Sequence, residues 1–133
     1  MLLKTYLYAA AMLATAAFSA GSALAADDGP VLFAQNCAAC HQTKGQGVAG
    51  AFPPLAGNKF VQGDPKGPAY VVTHGRGGMP NFADELDDQQ LAAILNYVRT
   101  SGGNTAPAVD AAAVAAERGA ASPPNQEAGL PFH

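Results

Sequence analysis

The chain has 133 residues, with seven basic against ten acidic side chains and a formal net charge of −3. This length suits a single domain. A mildly acidic chain without runs of lysine or arginine is a poor partner for nucleic acid or for an anionic membrane surface.

Residues 1–26 have the pattern of a secretory signal peptide. One early basic residue, Lys4, is followed by an apolar run rich in Ala and Leu, and then by the small-x-small sequence Ser22-Ala23-Leu24-Ala25. Cleavage after Ala25 or Ala26 would leave six basic and ten acidic residues, a net charge of −4. No later stretch has the ~20 consecutive apolar residues of a transmembrane helix. We therefore expect export to the periplasm and no membrane span in the mature chain.

The first two helices are predicted on either side of a long loop. The first begins near Asp28-Gly29-Pro30, where acidic side chains suit the positive helix N-terminus, and runs towards Cys40. Residues 45–67 are so rich in Gly and Pro that no long regular element fits there. Residues 68–75 begin with Pro and end with Gly, which favours a short helix, although the β-branched residues between them leave a strand as the alternative.

The clearest helix signal extends from Asp87 to Ser101. Asp87 can cap this helix with Gln90 three residues later, and Gly102 ends it. Apolar residues recur at helical spacing, at Leu91, Ile94, Leu95 and Val98.

Residues 105–133 consist mainly of Ala, Pro and small polar residues. The Ala-rich stretch 110–118 could form a helix but has few large apolar side chains to bury. We therefore expect one folded domain at residues 27–104 and a largely mobile C-terminal tail at residues 105–133.

The strongest chemical signal is Cys37-Ala38-Ala39-Cys40-His41, at the end of the first predicted helix. In an exported protein, a CxxCH sequence is typical of the covalent attachment site of a c-type haem. Two cysteines three positions apart can both form thioethers with the porphyrin, and the histidine beside them can bind the iron. We expect one covalent haem c attached through Cys37 and Cys40, with His41 as the proximal ligand.

Three other interpretations compete for the two cysteines. In a zinc site, Cys37, Cys40, His41 and His74 would be the ligands, but the second closely spaced pair typical of such sites is missing. A thioredoxin-like CxxC site requires a βαβ context, and the chain has no convincing strand pattern. A plain periplasmic disulfide is the third interpretation.

Met79 is the predicted sixth ligand to the iron. The other two methionines lie in the signal segment, so Met79 is the only one in residues 27–133. It lies in Gly77-Gly78-Met79-Pro80, where the glycines would let the backbone approach a haem. A thioether with an imidazole is the ligand pair that raises the iron potential in cytochromes c. His74 is the alternative sixth ligand and would give a bis-histidine haem.

The order of these motifs resembles the small bacterial class I cytochromes c over Gly29 to about Asn104. Gly29-x-x-x-Phe33 precedes the CxxCH motif, and Phe52-Pro53-Pro54-Leu55-Ala56-Gly57 follows it. Gly77 to Pro80 and then Leu91 to Arg99 complete the set. The resemblance implies an all-α fold, with three to four helices wrapped around one covalent haem.

The same resemblance implies two specific contacts. Gly29 and Phe33 are expected to pack the first helix against the last, at Ile94 and Tyr97. The carbonyl group of Pro53 is expected to accept a hydrogen bond from the second ring nitrogen of His41, which would fix the orientation of the imidazole.

With both axial positions filled, the expected function is one-electron transfer and not catalysis. The chain is also similar to cytochrome subunits or partners of periplasmic dehydrogenases. We therefore expect it to pass electrons between a periplasmic dehydrogenase or a respiratory complex and an acceptor, either as a monomer or as a subunit of a complex. One alternative is a tethered subunit through which electrons enter a dehydrogenase, with residues 106–132 as a docking strap. A haem enzyme or ligand sensor with an open sixth position is the other.

The charges along the chain suggest how a partner would approach. Between His41 and Met79, only Asp64 is acidic, against four basic residues, Lys44, Lys59, Lys66 and Arg76. Four acidic residues follow within residues 84–88. One hypothesis is a weakly basic face around the haem edge with an acidic face behind it; the alternative is that these are ordinary solvated charges on a loop.

Overall fold

The computed structural model describes residues 28–121, which contain six α-helices. They are α1 (Gly29–Asn36), α2 (Ala38–His41), α3 (Lys59–Gln62), α4 (Lys66–His74), α5 (Asp88–Thr100) and α6 (Ala111–Arg118). Extended structure in this part of the chain is limited to two isolated β-bridges. The all-α prediction is confirmed, but residues 28–121 contain six helices where three to four were expected, because α2 and α3 are single turns of four residues. The predicted signal peptide lies outside the described residues. Nowhere between residues 28 and 121 is a helix both long and apolar enough to span a bilayer.

The crossing of α1 over α5 follows from one small and one aromatic residue. A Cβ atom on Gly29 would collide with the carbonyl group of Ala93 and would lie 3.1 Å from the Cβ of Tyr97, so only glycine allows this approach. One turn later, the rings of Phe33 and Tyr97 lie 5.2 Å apart at an angle of 58°. The resemblance implied that Gly29 and Phe33 pack against the helix that contains Tyr97, which is α5. This contact is confirmed for both residues.

The CxxCH motif does not continue the first helix but forms a separate turn. α1 ends at Asn36, and Cys37 (φ −121°, ψ −33°) separates it from α2. The amide of Cys37 still donates to Phe33, and the amide of His41 donates to Cys37, both at 2.9 Å. His41 is thereby placed at the end of a short helix that begins where α1 stops.

The predictions for the two central helices are confirmed. α4 covers residues 66–74, and the hydroxyl of Thr73 donates to the carbonyl of Ala69 at 2.9 Å, so the β-branched run is helical and the strand alternative is wrong. α5 begins with the predicted capping box. Asp87 accepts from the amide of Gln90 at 2.9 Å, and the Gln90 side chain accepts from the amide of Asp87 at 3.1 Å.

The hydrophobic core lies between α1, α4, α5 and α6. The core includes the four apolar residues of α5 that were noted in the sequence, Leu91, Ile94, Leu95 and Val98. Each of them is at most 8 % exposed. The other members of the core include Leu32, Phe33, Val61, Ala69, Leu86, Val109 and Val114.

Residues 105–121 differ from the sequence prediction, because they pack against α4 and α5. Val114 is fully buried and Val109 is 4 % exposed. The Asn96 side chain on α5 donates to the carbonyl of Val109 at 2.9 Å and accepts from its amide at 2.7 Å. The expectation of a mobile tail without buried side chains is therefore wrong for these residues; residues 122–133 lie outside the described chain.

The far end of α6 is fixed by Arg118. Its Nε donates to the carboxylate of Asp88 at 2.7 Å, and the same guanidinium donates to the carbonyl groups of Ala83 and Leu86. A helix of small residues can pack closely but buries little apolar area. The polar contacts of Arg118 with α5 and with the segment before α5 therefore contribute to holding α6 in place.

Candidate cofactor site

A cavity of about 500 Å³ lies between α1, α4, α5 and the loops that connect them. This volume is within the roughly 300–1,000 Å³ typical of small-molecule and cofactor sites. The wall is largely apolar, with Phe33, Val72, Ile94, Leu95 and Val98 among its side chains. Cys37, His41, Pro53 and Met79, all selected from the sequence, also line this cavity, whereas Cys40 is not part of its wall.

His41 reaches the cavity with its ring orientation already fixed. The residue is 8 % exposed, and its Nδ1 lies 2.9 Å from the carbonyl oxygen of Pro53. With a proton on Nδ1 donated to this carbonyl, Nε2 keeps its lone pair and can bind a metal. The partner is the one that the resemblance implied.

The loop that holds Pro53 folds tightly over α2. The amide of Gly47 donates to the carbonyl of His41 at 2.9 Å, and Val48 pairs with Phe52 in a β-bridge. Gly47 has φ +67°, and a Cβ atom there would collide with the carbonyl of Phe52. A glycine is therefore required for the turn that brings Pro53 back to His41.

The two cysteines do not have the environment of a redox-active CxxC pair. Burial and, to a smaller extent, a charge on Cys40 together raise the pKa of the Cys37 thiol to about 11. Catalytic CxxC thiols have lowered pKa values instead. The thioredoxin-like interpretation is therefore not supported.

Met79 lies in a closed turn whose two ends are joined by backbone hydrogen bonds. The amide of Arg76 donates to the carbonyl of Met79 at 3.0 Å, and the amide of Met79 donates back at 2.9 Å. Gly75, with φ +75°, precedes the turn, and a Cβ atom on it would lie 2.6 Å from the carbonyl oxygen of Met79. Gly75 therefore allows this turn to form at the cavity wall.

His74, the alternative sixth ligand, lies outside the cavity wall and is exposed. Its ring stacks on that of Tyr70, with 4.0 Å between centroids, and its Nδ1 lies 3.0 Å from the hydroxyl oxygen of Thr73. Within residues 28–121, no group of three or more His, Cys, Asp or Glu side chains is arranged to hold a metal ion. The structure therefore favours neither a zinc site nor a bis-histidine haem.

Sequence reasoning missed two parts of the site. It assigned Ile94, Leu95 and Val98 to the core, but these side chains also form the cavity wall. It also did not single out Phe60, which lines the wall with Arg76 and whose ring centroid is 5.9 Å from the guanidinium carbon of Arg76. The apolar periodicity of α5 could have indicated the wall. In a small domain that holds a large cofactor, most core side chains also contact that cofactor.

The residues of the cavity fit a covalently attached haem. An imidazole with a free Nε2 and a thioether, His41 and Met79, are ligands suited to haem iron. Cys37 opens onto the same space, and the apolar wall suits a porphyrin ring. The cavity therefore offers an imidazole, a thioether, one of the two cysteines and an apolar lining, all of which a covalently attached haem can use.

Comparison with known proteins agrees with this assignment. The family described as "Cytochrome C oxidase, cbb3-type, subunit III" matches residues 24–98. The chain is similar to cytochrome c6 of Cladophora glomerata, with 39% identity over 75 residues that cover 53% of this chain and 82% of the relative. It is also similar in fold to the solved KustC0563 c-type cytochrome, with a TM-score of 0.50 and 22% identity, over 59% of this chain and 99% of the other.

A longer relative is the cytochrome c subunit of the quinone alcohol dehydrogenase of Gluconacetobacter polyoxogenes. The identity is 37% over 111 residues, which cover 74% of this chain and 24% of the relative. The chain thus spans about a quarter of that protein's length.

Proposed function

Because the chain belongs to the family described as cytochrome C oxidase, cbb3-type, subunit III, and so to the haem c proteins of class I type, we propose that it is a periplasmic one-electron carrier with His41 and Met79 as axial ligands. Cys37 and Cys40 would attach the haem. One observation carries the proposal: Met79, which lies 38 positions after His41 in the sequence, lines the same apolar cavity as Cys37 and His41. When bound, haem c supplies an iron centre that takes up and releases a single electron.

Both proposed ligands are held in place before any electron arrives. The carbonyl of Pro53 fixes the imidazole of His41, and two backbone hydrogen bonds close the turn of Met79. Ligands that are held in this way need to move little when the charge at the site changes. Fast transfer of electrons without loss of a ligand is the consequence that we expect.

The apolar wall has a second effect on the chemistry. Ile94, Leu95 and Phe33 are each at most 4 % exposed and keep water from that side of the cavity. A site with little water favours the state of lower charge. The wall therefore supports a higher reduction potential than an open site would have.

The partner that we propose is a periplasmic redox protein such as a dehydrogenase. The similarity to the cytochrome c subunit of a quinone alcohol dehydrogenase supports this class of partner, and the signal-peptide pattern of residues 1–26 supports the compartment. The docking strap expected at residues 106–132 is disfavoured in its described part, residues 106–121, because Val109 and Val114 are buried against the chain's own helices.

The proposed carrier function is tested by the visible spectrum of the reduced protein, matured in the periplasm, before and after carbon monoxide is added. We expect a sharp low-spin c-type spectrum that carbon monoxide does not change. The M79A variant should bind carbon monoxide promptly, because it opens a coordination position, and the matched H74A variant should behave like the wild type. Binding by the wild type would favour an enzyme or sensor, and binding by H74A but not M79A would assign the sixth position to His74.

A further inference from the structure

Arg99 is a fully buried charged residue of α5. Its side chain is only 1 % exposed. Its Nη1 donates to the carbonyl groups of Val61, at 2.6 Å, and Gly63, at 3.1 Å. Its Nε donates to the carbonyl of Pro107 at 3.0 Å. The guanidinium therefore joins α5 to the end of α3 and to the segment that leads to α6.

The position of Arg99 places this charge directly behind the cavity wall. Val61, whose carbonyl accepts the shortest of these bonds, also lines the cavity. So does Val98, the neighbour of Arg99 in α5. Val61 thus contacts the guanidinium through its carbonyl group and also lines the space that the cofactor fits.

The positive charge of Arg99 is only weakly opposed. Its three acceptors are neutral backbone carbonyls. Burial lowers the pKa of Arg99, and the negative charge of Asp64 acts in the opposite direction; an arginine still keeps its proton in proteins. Asp64 is exposed, so water and salt screen its charge far more than they screen a buried one.

We propose that the buried charge of Arg99 raises the reduction potential of the haem site, an inference that rests on the proposed electron-carrier function. When one electron passes from a donor protein to the site, the net charge of the site falls by one. A nearby buried cation stabilises this reduced state relative to the oxidised one. Exposed basic residues such as Lys59 do so far less, because solvent screens them.

Arg118 is a matched control for Arg99. It is also an arginine that donates to two backbone carbonyls, those of Ala83 and Leu86. It pairs with Asp88, and none of these residues lines the cavity of about 500 Å³. A variant without the Arg118 charge therefore also loses hydrogen bonds to backbone carbonyls and one positive charge, but at a place that is not part of the cavity wall.

The experiment is a redox titration of haem-loaded protein, followed by the visible spectrum at low and at high ionic strength. R99M removes both the charge and the hydrogen bonds, R99Q removes the charge but keeps amide donors, and R99K keeps the charge. We expect R99M and R99Q to have lower midpoint potentials than the wild type at both ionic strengths. R118M should keep the potential of the wild type, and R99K at pH 6 should lie close to it.

The outcomes separate the two proposals. A missing c-type spectrum in the wild type would contradict the carrier function itself. With a normal spectrum, an unchanged potential in R99Q, or an equal fall in R99M and R118M, would overturn the role of Arg99 alone. R99Q decides the question if R99M does not fold with its haem.

Discussion

The imidazole of His41 is oriented by a carbonyl group on a loop, and that loop depends on Gly47. The residue has φ +67° and contacts the backbone of Phe52 and Pro53. Gly50, in the same loop, has a similar φ of +76° but nothing within 4 Å of a Cβ atom. The two glycines thus both have a positive φ and differ in the space around them.

This difference predicts unequal costs for the same substitution. G50A should lower the free energy of unfolding by about 1 kcal/mol, the cost of a left-handed conformation for an L-residue. G47A should cost roughly 2 kcal/mol or more, because its methyl group also displaces the backbone that carries Pro53. Denaturant unfolding of the haem-loaded variants measures both values, and equal losses would show that the loop is not packed as described.

Single residues also show what the sequence could and could not predict. The CxxCH motif and the lone Met79 were visible because haem attachment and ligation use fixed residue types at a short spacing or in a glycine-rich turn. Arg99 was not visible as a buried residue. Its burial depends on carbonyl groups of Val61 and Gly63, which lie 38 and 36 positions away in the chain.

At the scale of one helix, α5 was predicted almost completely, because its capping box and its apolar spacing are both local. Asp87 accepts from the amide of Gln90 at 2.9 Å. We expect D87A to lower the free energy of unfolding by about 1 kcal/mol, since an N-terminal amide loses its acceptor. D87N, which keeps a side-chain oxygen, should cost less, and thermal unfolding of the two variants compares them. Equal losses in D87A and D87N would assign the effect to charge instead of capping.

Helix α6 was not predicted as a packed element, because its stabilisation comes from contacts distant in sequence. Asn96, which pairs with the backbone of Val109, lies 13 positions before it, and Asp88, which pairs with Arg118, lies 30 positions before it. Alanine-rich composition indicates a helix but does not show where it docks. The docking here depends on polar partners on α5 and on the segment before it, together with the burial of Val114.

The packing of α6 is tested by truncating its buried valine. V114A should lower the free energy of unfolding by about 2 kcal/mol, because Val114 is fully buried. V31A, at a helical valine that is 45 % exposed, is the matched control and should change it little. Both variants should keep the haem spectrum, as neither valine lines the cavity. If V114A were as harmless as V31A, residues 105–121 would be a loose tail after all.

At the scale of the whole molecule, one group of acidic side chains lies beside Arg118 and is not part of the wall of the haem cavity. Asp84, Glu85 and Asp87 are exposed, and they line a second surface cavity of about 350 Å³ beside Arg118. The basic residues Lys44, Lys59 and Lys66 are exposed, and Arg76 lies on the wall of the haem cavity. Lys59 lies between two residues of that wall, Asn58 and Phe60. Local charge at the cavity is therefore opposite in sign to the net charge of the chain.

This opposition can be measured with a small anionic oxidant, because net charge and local charge predict opposite effects of salt. If the net negative charge governed the encounter, oxidation of the reduced protein by hexacyanoferrate would become faster as salt screened the repulsion. If electrons leave near the basic residues, local attraction dominates and the rate should fall with ionic strength, which is the result that we expect. The double variant K59Q/K66Q should weaken this salt dependence, whereas D84N/E85Q should leave its sign unchanged. A rate that rises with salt in the wild type would show that electrons do not leave through a basic face.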